Sequence, residues 1–181
     1  MNETTLKLLE YQRIKEMIEE LTVSDMGRDL VRALKPDTDP YIIRNWLMET
    51  SESRMLLDKG ASVPLSSLNG IGKVMEKLGK VTALLPEDLT IIRNVLVGAS
   101  RMISYMKARF ELAPNVASYA TSMFTLDDLA EEIDRCIRDS RVDDRASPEL
   151  ARIRKRITIV EERIASKLES ILHSPAWQNK L

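Results

Sequence analysis

Residues 147–171 constrain this 181-residue chain more than any other stretch. Ser147 is a capping residue, Pro148 is pre-set for the first helical position, and Glu149 puts an anion at the positive end of a helix dipole. Leu150, Ile153, Ile157, Val160, Ile164, Leu168 and Ile171 then recur at steps of three and four, the spacing of one helix face. The run predicts one charged helix of about six turns, roughly 40 Å long at ~1.5 Å per residue. Such a segment is a strut that carries position across a distance, not a place where reactants are gathered.

The rest of the chain also reads as helical. Leu6, Leu9, Ile14, Met17, Ile18 and Leu21 stripe residues 3–21, with a break expected near Glu10. Ser24 caps a helix to about Leu34, which Pro36 ends. Asp39-Pro40 opens another to about Lys59, its apolar side read as Ile43, Leu47, Ser51 and Met55 or Leu56, with Gly60 as its stop. An irregular connector, 60–72, leads to a short helix ending at Leu78. Pro86-Glu87 starts a long helix to about residue 110, striped by Leu89, Ile92, Leu96, Ala99, Ile103, Met106 and Phe110. Residues 112–125 read as short helical turns. Thr125 is expected to cap a helix from Leu126 to Arg138 with Leu126, Leu129, Ile133 and Ile137 inside. Residues 139–146 read as a charged loop, and no segment alternates convincingly as a strand. The expected fold is all-α: an irregular helical bundle over 1–145 and a long projecting helix over 146–181.

Composition narrows the function classes. Aromatic residues are only 4% of the chain, so the core must be built from Leu, Ile, Val, Met and Ala, which suits packed helices better than a sandwich. Trp46 is read as a partial core anchor beside Leu47, and Trp177 as packing on a neighbouring part of a larger protein. A net charge of −1 gives no global field to hold nucleic acid. The single cysteine, Cys136, excludes an internal disulfide framework and fits a reducing compartment. The start has no signal-peptide pattern, and no apolar run approaches a membrane span, so a cytoplasmic protein without membrane contact is expected. The end at Leu181 has no tail-like composition, and a longer protein is expected to continue past it.

Catalytic chemistry finds no support in the residues. His173 has no second histidine to share a metal or a proton, and reads as a residue favoured by the C-terminal helix dipole. Cys136 has no C-x-x-C partner and reads as a small core or half-buried side chain. Asp143-Asp144 is the one acid pair in a loop, and its simpler task is to start the strut helix. Gly70-Ile71-Gly72-Lys73 lacks the spacing and preceding strand of a phosphate loop. No catalytic, metal or cofactor residue is therefore assigned. Basic residues are more informative. Between Arg135 and Lys167 there are ten, against six acids. Arg152, Arg154, Lys155, Arg156 and Arg163 are the candidate contacts to nucleic-acid phosphates, the sequence-independent part of such recognition. The plainer reading of the same residues is a solvated helix face. No aromatics interleave with them, which argues against a single-strand stacking platform.

Several blocks also resemble one family. TLKLLEYQRIKEMI near the start, SDMGRDLVRALKP, ETSESRMLLDKGASVPL and above all IDRCIRDSRVDDRASPEL, in this order, resemble the N-terminal region of the MutS2 family. The likeness runs from Thr4 to Leu181 and is weakest at 104–126. It implies that residues 1–145 are a core bundle and that 147–173 form a lever helix rising toward a clamp. It further implies that a dimeric ATPase using ATP and Mg, and usually an Smr nuclease domain, lie outside this chain. The expected role of the whole protein is ATP-dependent handling of branched or recombining DNA that suppresses recombination, with this part a mechanical transmitter. The alternatives are a family member acting on collided ribosomes, or a stand-alone helical module that binds other proteins.

Overall fold

The computed structural model describes residues 2–60, 62–65 and 68–173. Among them are nine α-helices and one two-stranded antiparallel ladder, so the fold is all-α with a long C-terminal helix. The chain divides into two compact units, Met1–Asp134 and Arg135–Leu181. Trp177 and the end of the 146–181 segment lie outside the described residues.

The first unit begins with α1 (Glu3–Leu8), capped by the Asn2 side chain, which accepts from the Thr5 N–H. The expected break falls at Glu10, whose left-handed backbone (φ 50°) separates α1 from α2 (Tyr11–Glu20). Ser24 caps α3 (Asp25–Ala33) as its sequence suggests. An ion pair of 2.5 Å between Arg32 and Glu19 joins α3 to α2, and the Lys15 ammonium donates to the Arg32 carbonyl. Asp39 caps α4 (Pro40–Asp58) through the Tyr41 N–H, with Pro40 at the first position.

Then come α5 (Ile71–Lys77), α6 (Pro86–Lys107), the short α7 (Pro114–Ser118) and a 3₁₀ turn (Tyr119–Ser122). Leu56, Met106, Ala113, Ala117 and Ala120 form the buried cluster, with Met102, Tyr105, Leu112 and Val116 packed against it. Most of that core is methyl groups, which lets α4, α6 and α7 approach closely. Of the α4 stripe read from the sequence, Leu56 is the alternative that faces inward, beside Glu52 in place of Ser51, while Leu47 and Met55 are exposed. Trp46, read as a partial core anchor, is 44% exposed.

Asp88 joins α5 to α6. Lys77 Nζ donates to both its oxygens, at 2.7 and 2.9 Å, and the Leu85 N–H donates to one at 3.2 Å, closing the first turn of α6. The Lys77 bonds hold this carboxyl below its usual range, against the opposing effect of burial. A depressed acid stabilises the fold fully above its unfolded-state value near 3.8, and the contribution fades as pH falls through the lower folded value. Asp88→Asn is therefore expected to lower the melting temperature at neutral pH, with the gap from wild type closing below that range. A pH-independent gap in thermal scans would refute it.

In α8 (Asp127–Cys136) the buried residues are Ala130 and Ile133, whereas Leu126 and Leu129 are exposed. Ser100 donates to Asp127 at 2.6 Å, and Arg93 pairs with Asp134 at 2.9 Å, so α8 is fastened to α6 by polar groups at both ends.

In the second unit, the expected extension of this helix to Arg138 does not occur. The backbone turns after Cys136 into strands β1 (Ile137–Arg138) and β2 (Arg141–Val142), paired Ile137 to Val142 and Arg138 to Arg141. The stretch read as a charged loop thus starts with a two-residue hairpin. The Asp143 N–H continues it by donating to the Cys136 carbonyl at 2.8 Å. A 3₁₀ turn (Asp144–Ala146) leads to α9 (Pro148–Leu172), capped by Ser147 with Pro148 at its start.

Candidate nucleic-acid interface

The charges of α9 sort by angle. At about 100° per residue, Arg152, Arg156 and Arg163 fall within about 40° of one another, and Lys167 extends the row. The row runs beside the apolar stripe, spans ~22 Å from Arg152 to Lys167, and each of its members is exposed. Lys155 lies on its flank. Arg154 is on the opposite side of the helix: its Nη1 donates to the Val142 carbonyl at 2.9 Å and to Asp144 Oδ1 at 2.6 Å. Of the five candidate arginines and lysines, the structure therefore gathers three, leaves Lys155 at the edge, and engages Arg154 in holding α9 to β2. Lys167 completes the row and was not among the candidates. Its signal is its spacing of 11 residues from Arg156, close to three whole helical turns.

The hairpin adds basic residues that a loop reading hides. Arg138 and Arg141 face each other across the ladder and are exposed. The neighbouring acids are held by other arginines. Asp143 accepts from the Arg145 N–H at 2.9 Å and from Arg145 Nε at 3.0 Å, and Asp144 from Arg154. Those Arg145 bonds keep the Asp143 carboxyl below its usual range, with the charge of Arg138 a smaller contribution.

Other sequence candidates take structural places. Gly70 opens α5 as its left-handed N-cap (φ 80°), and no strand precedes it among the described residues. His173 is the C-cap of α9, its N–H bonded to the Glu169 carbonyl. Cys136 is half-buried. Among the described residues no three His, Cys, Asp or Glu side chains are grouped to hold a metal ion, and no helix is long and apolar enough to cross a membrane.

Comparison with known proteins agrees with the blocks of resemblance. The chain is 30% identical over 184 residues to an endonuclease MutS2 of Alkaliphilus oremlandii, covering 100% of this chain and 23% of that protein. It is 32% identical over 185 residues to an endonuclease MutS2 of Bacillus cereus, covering 100% of this chain and 24% of the relative. With that of Ruminiclostridium cellulolyticum the identity is 31% over 183 residues, 98% of this chain and 23% of the relative. No family model matches. The chain spans under a quarter of the length of these curated relatives, and the match is to the N-terminal region of a MutS2 protein.

Proposed function

We propose that this chain, which matches the N-terminal region of MutS2 proteins, is the helical body and lever of a MutS2-type nucleic-acid enzyme. Residues 1–145 are the body and 146–181 the lever. The observation that carries this is similarity along nearly the whole chain to proteins named endonucleases. The exposed row Arg152, Arg156 and Arg163 supports it, because cations on one face can meet successive phosphates while cations scattered around a helix cannot. In this reading, cleavage and ATP turnover with Mg belong to the remaining portion of a cytoplasmic homodimer. The described residues bind and transmit position. The substrate is branched or duplex DNA, in the service of suppressing recombination.

The test is fluorescence anisotropy of a labelled duplex against the chain over a salt series. Neutralising three phosphate contacts with R152Q/R156Q/R163Q should flatten the dependence of log affinity on log salt by about 2.7, at ~0.9 per contact. R154Q should leave that slope unchanged, since Arg154 is engaged by Asp144. An unchanged slope in the triple variant would remove α9 from the interface. Tighter binding to structured RNA than to DNA would favour the ribosome-directed alternative.

A further inference from the structure

The two-residue hairpin between α8 and α9 places Arg138 directly opposite Arg141. Residues facing across an antiparallel pair share a face of the ladder, with Cβ atoms ~5 Å apart, and like charges at that position are destabilising. No described carboxylate forms an ion pair with either guanidinium. Asp143 is taken by Arg145 at 3.0 Å and Asp144 by Arg154 at 2.6 Å, and the exposed Asp139 at the turn is the remaining acid nearby. The turn itself is strained. Asp139 (φ 49°) and Ser140 (φ 55°) are both left-handed, the pattern of a tight hairpin that usually contains glycine. A surface depression of about 570 Å³ takes in both arginines together with Asp139, Asp143, Asp144 and Arg154.

The fold therefore sets two like charges opposite each other at an exposed tip, on a left-handed turn, with Asp143 and Asp144 each bonded to another arginine and only Asp139 left beside them. An anion seated between the two guanidinium groups would remove the repulsion, because each can donate in parallel to one pair of oxygens. We propose that Arg138 and Arg141 form a two-pronged clamp for one stretch of phosphodiester backbone in duplex nucleic acid. The clamp rests on the nucleic-acid reading above but uses a different element from the α9 row. It touches no base edge, so it positions the duplex without reading sequence.

The experiment compares the wild-type chain with R138Q/R141Q, R138K/R141K and R152Q/R156Q/R163Q. The probes are a fluorescein-labelled DNA duplex, an RNA duplex of the same sequence and a polyglutamate peptide. R138Q/R141Q is expected to weaken duplex binding several-fold and to flatten the salt slope by about 1.8, two contacts at ~0.9 each. R138K/R141K should keep the wild-type slope, as a lysine still neutralises a phosphate, while losing part of the affinity. The melting temperature of R138Q/R141Q should hold or rise, because a repulsive pair has gone, so weaker binding is not explained by unfolding. Whichever duplex binds more tightly identifies the source of the phosphates. If R138Q/R141Q keeps both affinity and slope while the α9 variant loses them, the clamp is wrong and the α9 reading survives. The reverse pattern retains the clamp and removes the α9 row. Binding of polyglutamate but of neither duplex overturns both.

Discussion

Glu52→Ala is expected to destabilise the first unit by about 2 kcal/mol, an effect set by two part-buried hydrogen bonds to a charged acceptor. Glu52 is 7% exposed on the inner side of α4. Its carboxylate accepts from Asn115 Nδ2 at 2.6 Å and from the Val116 N–H at 2.9 Å, at the start of α7. A helix of five residues cannot hold itself together in water, so α7 depends on partners outside it. Removing the carboxylate leaves the part-buried Val116 N–H without its acceptor and frees the exposed Asn115 side chain from the start of α7. The loss then spreads to Ala113 and Ala117, which sit in the buried cluster beside Leu56. Glu52→Gln should recover little, since its amide can accept one bond but turns an N–H₂ toward the other donor. Glu49 is the control. It accepts from the Tyr119 hydroxyl at 2.7 Å at an exposed position, a bond that pushes the Tyr119 phenol up from its usual value, and Glu49→Gln should change stability little. Urea unfolding followed by circular dichroism measures all three. A cost for Glu52→Ala no larger than that for Glu49→Gln would mean the bonds to α7 do not matter.

Glu52 also shows where a sequence reading runs out. The helix starts at Ser24, Asp39 and Ser147 are legible because capping is a contact between residues two or three apart. The break at Glu10 and the length of α9 are legible for the same local reason. The inward face of α4 depends on a partner 63 residues further along, and an acid placed inside displaces the apolar pattern by one residue. The hairpin was hidden because each strand offers only two residues of alternation and its turn contains no glycine. Arg154 stood inside the densest basic run, and only the structure shows Asp144, ten residues earlier, taking its charge. The candidate interface was thus legible as composition and not as geometry: the sequence shows that α9 is basic, and helical phase decides which of its charges act together.

The same displacement of α4 reverses the usual ranking of core substitutions by size. Leu56→Ala should cost about 4 kcal/mol, toward the upper end of the ~2–5 kcal/mol range for a buried leucine. Leu56 is 2% exposed, and three of its four cluster partners are Ala113, Ala117 and Ala120, which have no rotamers with which to refill the space. Met106 is the one flexible side chain inside the cluster, and Met102 and Leu112 at its edge can refill the space only in part. Trp46→Ala removes a far larger side chain, yet it should cost under about 1 kcal/mol, because the indole already keeps much of its surface in water. Leu56→Met, which conserves volume, should stay within about 1.5 kcal/mol of wild type. Urea midpoints at unchanged transition slope give the three values directly. A tryptophan substitution costlier than the leucine one would place the core on the Trp46–Leu47 side of α4, the face that its sequence alone suggests. The observed order would establish that the Glu52–Leu56 face, with its buried acid, is the side on which the unit is built.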